Sequence, residues 1–360
     1  MNYYLRKVEP LILKNLKLFP IVVLTGPRQA GKSTLLKHLF GKTWKYFSFD
    51  ERGTALRAKE DPDLFIQNLG SNAILDEAQK IPEIFHSIKH AVDSGSKFKF
   101  ILSGSANFHL LSQVTETLAG RAGVVELLPF SYAEIRQFKN RSILEHLIDA
   151  KSITDILSLN KGFPSLETKT LLKIILSGGY PATLRLKTNQ EKSLWFENYR
   201  TTYIERDLRD LAGVADIGDF QKFYEMLSYQ VGNLMDYSSL SRDIGVSVNT
   251  SRKYFHILEA SYQYFILRPY FSNIGKRLVK SPKVYAMDTG LCCFFLKYLN
   301  SESLLNSGKF GNILENWMIA ELYKQRLFMA VKPHFYFWRT SNGSEIDLLV
   351  EYGKKLIPMS

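Results

Sequence analysis

The chain contains the run Gly26-Pro27-Arg28-Gln29-Ala30-Gly31-Lys32-Ser33, which has the form G-x-x-x-x-G-K-[ST]. It follows an apolar, strand-like stretch at residues 19–24 and precedes a stretch at residues 34–40 whose apolar residues have helical spacing. A strand, a glycine-rich loop and a helix in this order distinguish a phosphate-binding loop from a chance match. Glycines let the backbone N–H groups turn toward phosphates, and the helix N-terminus adds partial positive charge. The sequence therefore predicts a nucleotide-binding α/β fold.

Each residue type in this loop has an expected role. Lys32 is expected to reach the β- and γ-phosphates of ATP, and the Ser33 hydroxyl is expected to bind Mg²⁺. A glycine-rich turn with a stray lysine is the alternative, and the flanking strand and helix argue against it. The predicted nucleotide contacts are Gly26, Pro27, Arg28, Gln29, Ala30, Gly31, Lys32, Ser33 and Thr34.

An acidic pair, Asp76 and Glu77, ends a second apolar run at residues 72–77. Such a run is typical of a parallel strand that is covered on both faces. Asp76 is expected to hold Mg²⁺, directly or through water, and Glu77 to polarise the attacking water. The alternative is a strand end that runs into a turn. Two adjacent carboxylates are costly there unless a cation or a function retains them.

A third apolar run, residues 98–102, leads into a polar stretch with Ser103, Ser105 and Asn107. Ligands of open parallel sheets bind beyond the carboxyl ends of the strands. One of these side chains is therefore expected to contact the γ-phosphate or to align the water, a role called the sensor. Ser105 is included among the catalytic candidates, although the residues leave open which of the three acts. A plain polar turn is the alternative.

Arg121 lies between glycines in residues 118–123, LAGRAG. An arginine on a loop after the sensor strand suits an arginine finger, which supplies positive charge to a phosphoryl transition state, often from a neighbouring subunit. A surface arginine in a flexible turn is an equally good interpretation.

Five segments occur in the order GPRQAGKST, AILDEAQKIPE, FILSGSANFHLL, LAGRAG and ELLPFSYAEI. With them the chain resembles prokaryotic AAA-type ATPases that pair an AAA-like N-terminal domain with a C-terminal domain of unknown function. The resemblance covers nearly the whole chain and implies a ring or another homo-oligomer. The expected parts are an AAA+-like P-loop core with a parallel sheet (1–130), a helical lid (131–190), a helical and winged-helix segment (191–285) and an incomplete, nuclease-like α/β region (286–360).

Residues 221–271 have the pattern of a helix-turn-helix. Ser238 or Ser239 is expected to cap the first helix of the pair, and Gly245 to end it. Residues 248–258 have the character of a recognition helix, and residues 264–270 of a wing strand. The side chains expected to face double-stranded DNA are Asn249, Ser251, Arg252 and Lys253, with Lys276, Arg277, Lys280 and Lys283 on its phosphates. A winged helix used for protein contacts is the alternative.

Carboxylates recur near the C-terminus, where Glu315 lies in a helical stretch and Glu345, Asp347 and Glu351 alternate along a strand. A helix glutamate with a strand aspartate resembles the PD-(D/E)XK nuclease core, which binds Mg²⁺. That core also needs E-x-K on the next strand, and residues 356–360 (LIPMS) lack it. We therefore expect a structural remnant without nuclease activity.

Composition narrows the classes of protein to which the chain can belong. The chain has 360 residues, 45% of them hydrophobic, which suits two or three globular domains. Neither a membrane-spanning run nor a secretory apolar segment is evident, so a cytoplasmic location without membrane contact is expected. The adjacent Cys292 and Cys293 argue against a disulfide framework and a zinc site. The net charge of +12 favours an anionic partner. The sequence thus predicts an ATPase coupled to DNA, with an ATP-switched DNA-binding regulator or a protein-remodelling ATPase as alternatives.

Overall fold

A computed structural model describes residues 3–95, 97–105, 114, 116–139, 141–152, 154–156, 166–207, 216–273, 275, 277, 280–340 and 342–360, with the side chains of 204–207 left aside. It forms two compact units. Unit 1 comprises Met1–Leu128 with Ala260–Tyr262, and unit 2 comprises Pro129–Glu259 with Gln263–Ser360. The finer division predicted at residues 130, 190 and 285 stays a prediction. The predicted contacts Asn107 and Lys276 lie outside the described residues.

Strands and helices alternate up to Leu128, as the apolar runs predicted. The elements are α1 (Glu9–Leu18), β1 (Ile21–Thr25), α2 (Lys32–Phe40), β2 (Lys45–Ser48), α3 (Arg52–Glu60), α4 (Pro62–Gln67), β3 (Ala73–Asp76), a 3₁₀ turn (Ala78–Lys80), α5 (Ile84–Asp93), β4 (Phe100–Ser103) and β5 (Ala122–Glu126).

The five strands form one sheet in the order β2-β3-β4-β1-β5, and every pairing in it is parallel. All residues of β1, β3 and β4 are buried, which explains why these strands appear in the sequence as continuous apolar runs. The predicted fold class, a P-loop core with a parallel sheet, is confirmed.

The register of the sheet brings three strand ends together. Leu24 of β1 is aligned with Ser103 of β4, and Ser103 is aligned with Asp76 of β3. Parallel strands place their carboxyl ends at one edge, so the loops that follow β1, β3 and β4 emerge side by side. Residues that are distant in sequence therefore meet beyond this edge.

The elements after Leu128 are mostly helical at first and then mixed. They are α6 (Tyr132–Ile135), α7 (Ile143–Asp149), α8 (Thr168–Ser177), α9 (Asn189–Tyr199), a π-helix (Arg200–Asp207), α10 (Ile217–Tyr229), α11 (Tyr237–Ile244), α12 (Val248–Ala260), β6 (Tyr264–Pro269), β7 (Lys283–Ala286), α13 (Thr289–Phe295), α14 (Ser301–Leu305), α15 (Phe310–Arg326), β8 (His334–Arg339), β9 (Glu345–Tyr352) and β10 (Lys355–Met359).

A second five-stranded sheet has the order β10-β9-β8-β6-β7. In it, β6 pairs antiparallel with β7 and parallel with β8. The strand predicted at residues 264–270 is therefore present as an inner strand of this sheet, and its role as a wing stays a prediction. Its residues Tyr264, Phe265 and Leu267 are buried, as expected for a strand that is covered on both faces.

One hydrophobic core joins helices from across unit 2. Leu172 and Ile175 of α8 pack in it together with Phe196 of α9, Tyr224 of α10 and Phe255 of α12. The predicted lid region, residues 131–190, thus contributes α8 to this core. A role of that region in covering the nucleotide stays a prediction.

The helix pair α11–α12 has the predicted turn but a different cap. Gly245 ends α11 with φ 88°, a left-handed conformation that glycine adopts without a steric penalty. The cap is Asp236, whose carboxylate accepts hydrogen bonds from the N–H groups of Ser238 and Ser239, so neither serine is the cap. Ser251 was expected to face a groove, but it is buried and accepts a hydrogen bond from the Ser241 hydroxyl at 2.8 Å.

Candidate nucleotide-binding site

The glycine-rich loop of residues 26–33, here called the P-loop, begins where β1 ends. Gly26 has φ 151°, and a Cβ atom there would lie 2.0 Å from the carbonyl oxygen of Leu127. Gly31 has φ 97° and immediately precedes α2, whose first residue is Lys32. Both glycines are required by the backbone, because a side chain would clash at the first and be strained at the second. The loop therefore leads directly into a helix N-terminus, which favours phosphate.

Lys32 folds back over this loop. Its ammonium donates hydrogen bonds to the carbonyl oxygens of Gly26 at 2.9 Å and Pro27 at 3.0 Å. Burial lowers the pKa of Lys32 to about 8, against the opposing effect of the nearby Glu77 and Asp76 carboxylates. Phosphate oxygens stabilise an ammonium better than these neutral carbonyls do, so Lys32 is ready to exchange them for phosphate.

Asp76 is the centre of a hydroxyl cluster. Its Oδ2 accepts a hydrogen bond from Ser33 at 2.7 Å and another from the Tyr46 hydroxyl. Its Oδ1 accepts one from the Ser103 hydroxyl and one from the N–H of Glu77 at 3.2 Å. The structure thus brings together Ser33 and Asp76, the two residues predicted to hold Mg²⁺. Hydroxyl and carboxylate oxygens suit this ion, with phosphate oxygens and water completing its ligands.

Tyr46 is a member of this cluster that sequence reasoning missed. It lies in the edge strand β2, and no motif marks it. Burial and the hydrogen bond to Asp76 raise the pKa of Tyr46, so its phenol stays a donor at neutral pH. The ammonium of Lys37 lies 4.5 Å from the centre of its ring. Only the pairing of β2 with β3, which is long-range in sequence, brings it to Asp76.

Glu77 begins a tight turn after β3. Its backbone has φ 57° and ψ 39°, which is uncommon for a residue with a Cβ atom. Its Oε2 accepts a hydrogen bond from Gln79 Nε2 at 2.6 Å. Because the Glu77 carboxylate raises the pKa of Lys32, it lies within electrostatic reach of the P-loop lysine. The predicted role of Glu77 toward the attacking water stays a prediction.

The sensor candidates differ in position. Ser103 is the last residue of β4, fully buried, and bonded to Asp76. Ser105 follows the strand by two residues and is partly exposed, so a contact with nucleotide stays a prediction for it.

Arg121 lies away from these residues. It precedes β5, whose opposite end lies next to the P-loop, and a strand of this length spans about 17 Å. Its guanidinium binds both carboxylate oxygens of Asp93, at 2.5 and 2.9 Å, and this contact lowers the pKa of Asp93. The structure does not bring Arg121 to the nucleotide site of its own chain, and its role as a finger in a neighbour stays a prediction.

Arg6 is a second residue that sequence reasoning missed. Its buried guanidinium donates hydrogen bonds to the P-loop carbonyl of Ala30 at 3.0 Å and to the carbonyl of Leu128 at 2.6 Å. Leu128 is next to Leu127, whose carbonyl oxygen lies against Gly26, so Arg6 links the P-loop to the chain segment beside it. Nothing in the sequence around Arg6 signals this contact, because its partners are far away in the chain.

The C-terminal carboxylates form a separate cluster around Lys283. Its ammonium pairs with Glu315 at 3.1 Å, with Asp347 at 3.6 Å and with Glu345. Burial alone would lower the pKa of Lys283, but these carboxylates outweigh it and raise that pKa. Burial raises the pKa of Glu315. In the described part of the chain, no group of three or more His, Cys, Asp and Glu side chains is arranged to hold a metal ion.

This cluster corrects part of the predicted DNA contact. Lys283 is committed to carboxylates and is buried, so it is not available to DNA phosphates. Arg277 pairs with Glu351 at 3.4 Å and packs on the rings of Tyr270 and Tyr336. Of the predicted phosphate contacts that the structure describes, the exposed Lys280 remains.

Family models match most of the chain. A model of the AAA domain family matches residues 18–136. Models of two domains of unknown function, DUF8612 and DUF4143, match residues 168–302 and 310–360. The class that the fold and the P-loop define is therefore an AAA-type ATPase-like protein with a C-terminal domain of unknown function.

Two curated relatives share 31% identity with the chain over 334 residues. They are the uncharacterized protein Rv2008c of Mycobacterium tuberculosis and the uncharacterized protein Mb2031c of Mycobacterium bovis. The matched region covers 92% of this chain and 68% of each relative. The chain belongs to their family, and the resemblance to AAA-type ATPases is confirmed.

Among solved structures, the Walker-type ATPase PABY2304 of Pyrococcus abyssi is similar with a TM-score of 0.48 and 16% identity, covering 82% of this chain and 96% of that one. A single-residue variant of RuvB from Thermotoga maritima has a TM-score of 0.32 and 15% identity, covering 71% and 89%. The family assignment rests on the sequence matches. In the part of the chain that the structure describes, no helix is both long and apolar enough to cross a membrane.

The lowered pKa of Lys32 predicts proton uptake when nucleotide binds. At about pH 8 the free protein holds roughly half a proton on Lys32, and phosphate oxygens raise the pKa, so binding should take up as much as about half a proton. ATP affinity should therefore fall as the pH rises above 8. Titration calorimetry in buffers of different ionisation enthalpy measures the uptake. At about pH 6.5, where Lys32 is already charged, the uptake should be small; equal uptake at both pH values contradicts the assignment.

Removing the ammonium from the carboxylate cluster should destabilise unit 2. Lys283→Met leaves three carboxylates without their shared cation, at an expected cost of about 1–3 kcal/mol at pH 7, because these carboxylates are only partly buried. Burial raises the pKa of Glu315, so this carboxyl binds a proton at a higher pH than in the unfolded chain, and the cost should shrink as the pH falls.

Chemical unfolding measures this loss, with Lys280→Met as the matched control at an exposed lysine. The control should lie within about 0.5 kcal/mol of the unaltered protein. An equal effect of both variants would contradict a structural role for the Lys283 cluster.

Proposed function

We propose that the protein binds ATP with Mg²⁺ and hydrolyses it. The observation that carries the proposal is the Ser33–Asp76 hydrogen bond at 2.7 Å, with Lys32 and Glu77 close to it. It supports the proposal because a cation-binding pair, a phosphate-binding ammonium and a candidate base would share one edge of the sheet. These are the parts that phosphoryl transfer to water requires.

Residues of the P-loop and of the acidic pair have separate roles in the proposed hydrolysis. The P-loop N–H groups and Lys32 bind the phosphates, and Lys32 stabilises the negative charge that develops on the phosphoryl oxygens. Glu77 orients a water for in-line attack and accepts its proton. The bond from the γ-phosphorus to water forms while the bond to the β–γ bridging oxygen breaks, which releases ADP and phosphate. Ser33 and Asp76 would hold Mg²⁺, which supplies charge neutralisation when bound.

The C-terminal region is proposed to be structural rather than nucleolytic. The Lys283 ammonium lies among the carboxylates that a nuclease of this type would use for its metal. A fixed cation at that place disfavours a second one by repulsion. The free thiols of Cys292 and Cys293, with the requirement for ATP, support a cytoplasmic location.

Two substitutions test ATP hydrolysis. Glu77→Gln keeps the shape of the side chain but removes the base, so ATP binding should be retained while kcat falls at least about a hundredfold. Lys32→Ala should abolish binding. Steady-state phosphate release and equilibrium ATP binding measure both effects. Turnover at the unaltered rate in Glu77→Gln would refute the role of Glu77.

We further propose that the helix pair α11–α12 binds double-stranded DNA. Asn249, Arg252, Lys253 and His256 are exposed on α12, whereas its other face is buried in the core. The Arg252 guanidinium lies 4.9 Å from the centre of the Tyr237 ring, which supports it at the surface. Together with the net charge of +12, this exposed face suits a DNA groove and its phosphates.

DNA binding predicts a salt-dependent loss in one double variant. Arg252→Gln with Lys253→Gln should weaken binding to duplex DNA and reduce the slope of log K against log salt by about 2. The matched control is Lys222→Gln, at an exposed lysine of α10. Fluorescence anisotropy measures binding, and phosphate release with and without DNA measures coupling. ATP hydrolysis that is indifferent to DNA would favour a protein-remodelling ATPase, and DNA binding without turnover an ATP-switched regulator.

A homo-oligomer, in the form of a ring, is the proposed assembly, with Arg121 completing a neighbour's site. This proposal is supported by the position of Arg121, which is distant from its own nucleotide site and partly exposed. In a neighbour it would have to exchange Asp93 for phosphate, a gain in charge-assisted hydrogen bonding.

Subunit mixing tests the proposed action of Arg121 in trans. Arg121→Ala and Glu77→Gln should each abolish most turnover, since a finger contributes about a thousandfold or more. In a mixture, some sites combine an intact Glu77 with a neighbour's intact Arg121, so part of the activity should return. Co-assembly is verified by pull-down with differently tagged subunits. No recovery in proven mixed assemblies would refute action in trans.

A further inference from the structure

The turn after β3 ties the proposed base to a neighbouring amide. Gln79 Nε2 donates to Glu77 Oε2 at 2.6 Å. The Glu77 N–H donates to Asp76 Oδ1 at 3.2 Å, and the Glu77 carbonyl accepts a hydrogen bond from the N–H of Lys80 at 3.0 Å. The Glu77 main chain and carboxylate are therefore held from both sides by residues of one short segment.

We propose that Gln79 is the positioning residue for Glu77, and that it fixes the carboxylate in the orientation needed to align the attacking water. The inference rests on the proposed hydrolysis of ATP. Gln79 touches neither the P-loop nor Asp76 in the described contacts, and it acts through Glu77 alone. A carboxylate on a flexible side chain samples several rotamers, and a charge-assisted hydrogen bond selects one of them.

The chemistry of the two groups fixes the direction of the bond. Turning the Gln79 amide around would place its oxygen against a carboxylate oxygen, and neither can donate. The amide therefore keeps its N–H toward Glu77. This leaves Gln79 Oε1 buried and, among the described residues, without a hydrogen-bond partner. A buried acceptor without a hydrogen-bond donor costs free energy of folding. The hydrogen bond from Gln79 Nε2 to Glu77 must therefore outweigh the cost of leaving Gln79 Oε1 unpaired.

The hydrogen bond between Gln79 and Glu77 fixes the Glu77 carboxylate and does not act as a switch that releases it. Gln79 belongs to the 3₁₀ turn Ala78–Lys80, which directly follows Glu77. The two side chains are thus joined through two peptide units of the same turn. A restraint that releases Glu77 on a signal requires a second element that moves, and here the partner is part of the same turn. Loss of Gln79 should therefore lower the rate, not raise it.

The expected effect is a fall in kcat with little change in ATP affinity. A misoriented base can cost about a hundredfold, so a loss of about tenfold to a hundredfold is expected for Gln79→Met, which keeps length but lacks the donor. ATP binding should stay within about twofold, because Lys32 and the P-loop are untouched. The matched control is Gln67→Met, the same substitution at an exposed glutamine of α4.

A double-mutant cycle separates positioning from a general structural role. In the Glu77→Gln background, Gln79→Met should cause no further loss, because the carboxylate that it orients is already gone. Gln79→Glu gives a second readout. Its ionised carboxyl repels Glu77 at neutral pH, and as the pH falls its protonated form can donate again. Its activity relative to the unaltered protein should therefore recover on acidification.

Failure of the inference and failure of the proposed function give different results. If the unaltered protein hydrolyses ATP and Glu77→Gln does not, but Gln79→Met retains full kcat or gains activity, the positioning role is refuted. Equal fold losses for Gln79→Met in both backgrounds would also refute it, as would a matching loss of ATP affinity. If the unaltered protein shows no turnover above Glu77→Gln, the proposed ATPase activity itself fails.

Discussion

The parallel pairing of β3, β4 and β1 is the constraint on which the nucleotide site depends. It aligns Leu24, Ser103 and Asp76 in one row across the sheet, so the P-loop, the sensor region and the acidic pair emerge together. Parallel strands need long crossovers, and here α5 packs in one core with residues of β1, β3 and β4. The burial of these strands and the convergence of the functional loops are therefore consequences of one topology.

Two buried charges show how similar clusters lead to different roles. Asp76 is surrounded mainly by neutral hydroxyls, which an arriving cation can replace without leaving an unpaired charge. Lys283 is surrounded by carboxylates, and removing one side leaves the charge of the other uncompensated. The first arrangement suits a binding site, and the second suits a fixed ionic core. The difference is that carboxylates already neutralise the charge of Lys283, whereas the hydroxyls bonded to Asp76 carry no charge.

Sequence reasoning succeeded where chemistry is local in the chain. The P-loop, the apolar strands, the end of α11 at Gly245 and the family were all predicted correctly from short motifs. It missed Tyr46, whose partner Asp76 lies 30 residues away, and Arg6, whose nearer partner Ala30 lies 24 residues away. Only the folded chain brings these residues together. It assigned Lys283 to DNA because a lysine in a basic stretch looks exposed. Only the tertiary fold brings Lys283 of β7 into contact with Glu315 of α15 and with Glu345 and Asp347 of β9.

The backbone at Glu77 solves a geometric problem that any acidic pair at a strand end must meet. In an extended strand, successive side chains point to opposite faces, so two adjacent carboxylates could not serve one site. A left-handed conformation at Glu77, with φ 57° and ψ 39°, breaks that alternation. For a residue with a Cβ atom it costs about 1–2 kcal/mol. Glycine would avoid the cost but would lose the carboxylate. Both carboxylates raise the pKa of Lys32, so the strained turn leaves the two adjacent acidic residues within electrostatic reach of the P-loop lysine.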